Sequence, residues 1–275
     1  MKVSIIVPTY KDIEALELIL DALQLQTYKN FEVIIAEDDN IISTKYFLET
    51  YDSQLKIRHF THEDKGNRKA FILNKSLVKV EGEYIIFIDG DCIPYTTFIE
   101  SHILLASRNT ILCGRRVNLG DKVSKDLRAK NISAQLLERG YLRYFKYLVL
   151  DDNSRHYEQG FYFSPNSFVW KYLSKRDENV HIVGSNFSCY KEAIYKINGF
   201  DEDIVGGSKD DVDLEWRFEM AGYKLRTCKF TANLFHLNHV RTSRIKDEEI
   251  ARMQMQTNKI NKQYIAFQGI NTYEP

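Results

Sequence analysis

Tyr84-Ile-Ile-Phe-Ile88 is an unbroken apolar run that stops at Asp89-Gly90-Asp91. A short run rich in β-branched and aromatic residues forms a buried strand. In an open α/β sheet, ligands bind outside the carboxyl ends of the strands. Acids two apart on extended backbone turn to the same side, and Gly90 puts no side chain between them. Two convergent carboxylates at a strand end suit a hard divalent cation carrying a phosphorylated ligand. Asp-x-Asp alone is a weak signal, since it recurs at Asp201/Asp203 and Asp211/Asp213. The strand in front of it gives it weight.

The same pattern repeats toward the N-terminus. Lys2 to Val7 reads as a strand closed by Pro8-Thr9-Tyr10, and Phe31 to Ala36 as a strand ending in Glu37, Asp38 and Asp39. Residues 12 to 25 have helical spacing, with Ile13, Leu16, Ile19, Leu20 and Leu23 on one face. Thr44 to Tyr51 and Gly66 to Val80 read as helices, and Ile57 to Phe60 as a short strand. Alternating strands and helices predict a doubly wound, mostly parallel sheet. Farther on, Gly184 to Cys189 reads as a turn into a strand, Asp210 to Ala221 as a helix stopped by Gly222, and Phe230 to His236 as a late strand. The tail beyond Asp247 is polar and helical.

Bulk properties narrow the class. The chain has 275 residues, with 38 basic and 38 acidic side chains and a net charge of +0, so the basic excess of a general nucleic-acid binder is absent. Cys92, Cys113, Cys189 and Cys228 are far apart and form no CxxC pair, which predicts reduced thiols. Pro8 cuts the N-terminal apolar run too short for a signal peptide, and no run reaches bilayer length. These features predict a cytoplasmic chain. There is no GxGxxG and no Walker A pattern, which argues against a dinucleotide dehydrogenase and a P-loop NTPase. Acids at three strand ends suit hydrogen bonds to ribose hydroxyls, a base N–H or a metal.

With these motifs in order, the chain resembles a family 2 glycosyltransferase of the GT-A fold, an α/β, Rossmann-like, mostly parallel sheet flanked by helices. The resemblance rests on Val3-Ser-Ile-Ile-Val-Pro-Thr-Tyr10, on Gln26 to Ile35, on Gly66, Ala70 and Asn74, and on Gly82-Glu-Tyr84 with Asp89-Gly-Asp91. A second group resembles a galactosyltransferase-like C-terminal region: Gly184-Ser-Asn186, Asn198-Gly-Phe-Asp201, Gly206-Gly207, Asp210-Asp-Val-Asp213 and Phe235-His236. The implied organisation is a nucleotide-sugar half over 1–118, a helical and aromatic insertion over 119–181, a catalytic and acceptor half over 182–246, and a helical tail over 247–275.

The resemblance implies roles. Pro8, Thr9, Tyr10, Glu37 and Asp38 would hold uridine. Glu37-Asp38-Asp39-Asn40 departs from the family's two Asp followed by Gly, and a slip of one residue brings Asp39 into that role. Arg68 would reach the base or diphosphate, and Asp89 with Gly90 the ribose or metal. Asp91 would bind Mn2+ or Mg2+, with a late histidine, His236 or His239, as a further ligand. Asp211 would be the general base of an inverting transfer, with Asp210 and Asp213 capping the helix. Gly206-Gly207 would let the preceding loop approach the sugar, and the donor pocket would lie near Arg115-Arg116 and Gly184-Asn186. The implied partners are a UDP-sugar donor and a glycan or lipid-linked glycan acceptor, with no nucleic acid. Tyr141 to Leu150 is basic and aromatic, either an ordinary helical layer or an element that binds acceptor or lies on anionic lipid at the inner face of the membrane. Two other classes are weighed against the transferase. A UDP-sugar-binding subunit without catalysis is disfavoured by acids at every expected position. A nucleotidyltransferase is disfavoured because the first loop, Pro8-Thr-Tyr-Lys-Asp12, lacks a Gly- and Arg-rich sequence.

Overall fold

The computed structural model describes residues 1–204, 210–239 and 245–273. Its first part alternates: β1 (Val3–Thr9), α1 (Ile13–Gln24), β2 (Phe31–Glu37), α2 (Ile42–Thr50), β3 (Ile57–Thr61), α3 (Lys69–Leu77) and β4 (Tyr84–Phe87). Next come β5 (Cys92–Pro94), α4 (Phe98–Leu105), β6 (Thr110–Cys113) and β7 (Val117–Asn118). Four helices then follow without an intervening named strand: α5 (Asp121–Arg128), α6 (Ala134–Arg139), α7 (Tyr141–Leu150) and α8 (Phe168–Lys175). The chain continues with β8 (Phe187–Tyr190), α9 (Lys191–Lys196), α10 (Asp210–Met220), β9 (Lys224–Thr227), β10 (Leu234–His236) and α11 (Ile245–Ile260).

Seven strands form the main sheet in the order β3-β2-β1-β4-β8-β6-β9. The first four are parallel, β9 is parallel to β6, and β8 alone runs against both its neighbours. This is the α/β, Rossmann-like GT-A architecture, with a mostly parallel sheet flanked by helices. The strands are apolar on both faces because both are covered. Val3, Ile5 and Val7 pack with α1 on one face, while Ile6, Ile34 and Phe87 pack with α3 on the other. Asp12 caps α1, its carboxylate accepting the Ala15 N–H at 3.0 Å.

Several boundaries differ from the sequence reading. Pro8 does not close the first strand, which continues to Thr9 opposite Glu37. Its missing N–H falls on the side where β4 has already ended, since the β1–β4 pairing stops at Ile6 and Phe87, so no ladder bond is lost. The helix expected from Gly66 starts at Lys69, because Gly66 has φ +84. The late strand is only Leu234–His236, since Phe230 has φ 64 and breaks extended backbone before it. It belongs to a second, three-stranded sheet, β5-β10-β7.

Asp213 is not a helix cap. It is buried and accepts the Arg217 Nε–H at 2.5 Å, one turn along α10. The fully buried Arg217 also donates to the carbonyls of Ile197 (3.0 Å) and Gly199 (2.7 Å). Removing one member of such a pair strands the other charge in the interior. Arg217→Ala should therefore cost about 3–5 kcal/mol in denaturant unfolding. A loss below about 1 kcal/mol, the range of an exposed pair, would mean that Asp213 is not confined with its charge.

Candidate active site

Parallel pairing brings the carboxyl ends of β1, β2 and β4 to one edge. The Asp38 N–H donates to the Thr9 carbonyl at 2.9 Å, and the Ile88 N–H to the Ile6 carbonyl at 3.2 Å. Asp38 is held on both oxygens, by His62 Nε2 at 2.7 Å and by the Arg68 N–H at 3.0 Å. Lys11 lies 3.2 Å from Asp39. Tyr10 is exposed and donates to Asp64 at 3.2 Å. Arg68 precedes α3, its guanidinium 4.3 Å above the Phe71 ring.

Glu37 departs from the expectation. It is fully buried, with one carboxylate oxygen 2.8 Å from His59 on β3 and the other without a hydrogen-bond partner. In the parallel register Ile35 stands opposite His59, and Glu37, two residues on and on the same face, reaches that histidine diagonally. The acids left at the crevice are Asp38 and Asp39, which favours the slipped assignment.

The Asp89 and Asp91 carboxylates do not share one environment. β4 ends at Phe87, and the chain turns tightly, the Cys92 N–H donating to the Asp89 carbonyl at 3.1 Å. The turn separates two side chains that extended backbone would hold together. Asp89 lies 2.6 Å from Lys69 Nζ and 3.7 Å from Arg116. A Cβ on Gly90 would stand 2.3 Å from the Pro8 carbonyl oxygen, so the turn can press onto β1 only with glycine there.

Asp91 faces the second sheet. β10 pairs antiparallel with β5, setting His236 opposite Cys92, and the Leu237 N–H donates to the Asp91 carbonyl at 2.9 Å. One Asp91 oxygen thereby lies 3.3 Å from His236 Nε2 and 3.1 Å from His239 Nε2. Burial works to raise the Asp91 pKa, but the two imidazoles outweigh it and hold the carboxyl well below its usual range. Donor atoms of Asp91, Cys92 and His236 all lie within 4.8 Å of one another. Burial, with the Asp91 and Asp89 charges, pushes the Cys92 thiol well up, and its Sγ–H donates to Asp91 at 3.3 Å. The usable donors are thus a carboxylate and imidazoles, a mixed set that suits a divalent first-row cation and lacks the all-oxygen shell that Mg2+ prefers.

Asp211 stands in the first turn of α10, against Gly184, where an added Cβ would lie 2.5 Å from its carboxylate oxygen. Asp210 and Asp211 line a small recess with Pro8, Lys69, Phe187 and Phe200. Burial raises the Asp211 pKa against the Gly184 N–H and Lys69. Burial and Asp211 push Asp210 up to about 7, although Lys69 opposes this. Burial alone would lower the Lys69 pKa, but Asp89, Asp211 and Asp210 more than reverse it. Lys69 thus links the β4 turn to the α10 acids, and motif reading missed it. Its position as the first residue of α3, one past Arg68, was the available signal. Asn186 is not a pocket residue: fully buried, it bonds the carbonyls of Arg115 and Ala232 at 2.8 Å each and His102 at 3.2 Å. Gly206-Gly207 lies outside the described residues.

The sheet order and the strand-end crevice define a GT-A-type α/β enzyme. The chain belongs to glycosyl transferase family 2, whose family model matches residues 4–176. It is 24% identical over 233 residues to the chondroitin synthase of Pasteurella multocida, a match covering 80% of this chain and 23% of that protein. It is 27% identical over 196 residues to the Escherichia coli UDP-Glc:alpha-D-GlcNAc-diphosphoundecaprenol beta-1,3-glucosyltransferase WfgD, covering 69% of this chain and 76% of that one. Among solved structures, S. aureus TarS 1-349 in complex with UDP-GlcNAc aligns with TM-score 0.58 at 16% identity, over 99% of this chain and 69% of that one. The mannosyltransferase PcManGT from Pyrobaculum calidifontis, in complex with GDP-Man and Mn2+, aligns with TM-score 0.58 at 17% identity, over 94% and 64%. At these identities the two structures share the fold.

Proposed function

We propose an inverting, metal-dependent transfer of a hexose or N-acetylhexosamine from a UDP-sugar to a hydroxyl of a glycan acceptor, in bacterial-type polysaccharide or glycolipid synthesis. The observation that carries this reading is the meeting of the β4 turn, His236 and Asp211 at one sheet edge. In this reading Thr9, Asp38 and Asp39 receive the nucleoside, and Lys69 and Arg116, flanking Asp89, offset diphosphate charge. Asp91 and His236, with His239 beside them, would hold the divalent cation, whose chemistry is Lewis-acid stabilisation of the leaving diphosphate. Asp211 accepts the proton of the attacking hydroxyl in a single displacement. Residues 1–118 then serve the donor, and 182–246, including the galactosyltransferase-like motifs, serve the acceptor. The relatives' names support a UDP donor: WfgD is named for UDP-Glc, and one TarS complex holds UDP-GlcNAc. PcManGT is titled with GDP-Man, so a guanosine donor belongs in the test.

The test is nucleoside diphosphate release from a panel of UDP-sugars and GDP-mannose, with Mn2+ and with chelator. Release from one UDP-sugar, abolished by chelator, is the expected result. UDP binding without release from any donor, with acceptor glycans supplied, would favour a non-catalytic UDP-sugar-binding subunit. Failure to bind UDP would overturn the nucleotide-crevice reading.

A further inference from the structure

The helices between β7 and β8 carry an outward face to which the proposed transfer assigns no residue. The inner side of α7 is anchored: Tyr141 and Leu148 are buried, and the Tyr141 ring lies 6.2 Å from Phe235, the residue before His236. On the outer side, Leu142 is 78% exposed, Leu150 70% and Tyr147 65%. Arg143 and Lys146 are exposed among them, and Leu136 and Arg139 extend the surface onto α6. Glu138 is the one acid between Ala134 and Leu150. It points inward, accepting the Thr96 hydroxyl at 2.6 Å and the Thr96 N–H at 3.0 Å. Asp151, just past α7, is also engaged, accepting the Lys122 and Val123 N–H groups at 3.0 and 2.8 Å. The α6–α7 segment therefore offers exposed apolar side chains and three cations, with its own acid turned inward, while the exposed Asp152 and Glu158 lie beyond its C-terminal end.

We propose that this α6–α7 face docks the protein on an anionic lipid bilayer. Apolar side chains enter the acyl boundary while long cationic stems reach headgroup phosphates, the pattern of an interfacial helix. A two-fold contact with another copy would set these cations against their own equivalents. Among the described residues no helix is long and apolar enough to cross a membrane. Because the Tyr141 ring of α7 stacks on Phe235 of β10, docking would tie the lipid contact to the strand that carries His236.

The test is co-sedimentation of the full chain with phosphatidylcholine vesicles, with and without phosphatidylglycerol. Binding should require phosphatidylglycerol and weaken with salt. At about a factor of five for each cation lost near an anionic surface, the triple variant Arg139→Gln/Arg143→Gln/Lys146→Gln should bind about a hundredfold more weakly. Leu142→Glu/Leu150→Glu should also release the protein, and Arg139→Lys/Arg143→Lys/Lys146→Arg should keep it bound. Unchanged thermal unfolding would show that the variants fold. No binding to anionic vesicles, or binding that both disruptive variants retain, would overturn the proposal. Self-association of the wild type that these substitutions abolish, without vesicle binding, would instead assign the face to a second copy of the chain.

Discussion

Asp91→Ala is expected to lower metal-dependent release of UDP by about a thousandfold, the scale on which removing one stabiliser of transition-state charge acts. The reason is geometric. Both imidazoles face the same Asp91 oxygen, at 3.3 and 3.1 Å, so the substitution removes the group on which the donor set converges. The fold should survive, because the Leu237 N–H bonds the Asp91 backbone carbonyl and not its side chain. Initial rates with saturating Mn2+, together with Mn2+ binding by calorimetry, measure the effect. A variant with a tenth of wild-type turnover and unchanged Mn2+ affinity would remove Asp91 from the metal site.

Asp211→Asn is the second large effect. As the proposed base it should cost about 10²–10⁴-fold in transfer to acceptor, while UDP affinity changes less than about twofold. The pH profile distinguishes this role from a structural one. Burial raises the Asp211 pKa, so its proton is retained to higher pH than on an ordinary carboxylate. A base works only when ionised; transfer should therefore rise as pH climbs through that elevated pKa and fail below it. In the asparagine variant this rising limb should vanish. A variant that keeps both its rate and the limb would move the base elsewhere.

Much of this edge could be read from the chain because its strands are buried on both faces. Val3 to Val7, Phe31 to Ala36 and Tyr84 to Ile88 are near-continuous apolar runs, and each leads to polar residues at the sheet edge. What escaped reading depends on nonlocal pairing. β5 and β10 are three residues each, too short to show a period, and only their mutual register sets His236 against the β4 turn. Glu37 looked like a crevice acid because alternation fixes a face only once the register with β3 is known. Asn186 sits in a recognisable motif, but its role as a buried junction among Arg115, Ala232 and His102 lies in its partners. The Asp213–Arg217 pair was local enough to see at four-residue spacing, and the stronger habit of reading early helix acids as caps hid it.

The pairing of β5 with β10 joins segments that lie far apart in the chain, His236 standing opposite Cys92. A cation held there would bind the folded chain and not the unfolded one, and so act as a noncovalent staple across a long loop. Its affinity would then report how firmly β10 is seated on β5. Loosening the β5–β10 pairing would weaken the cation's hold without altering a single ligand.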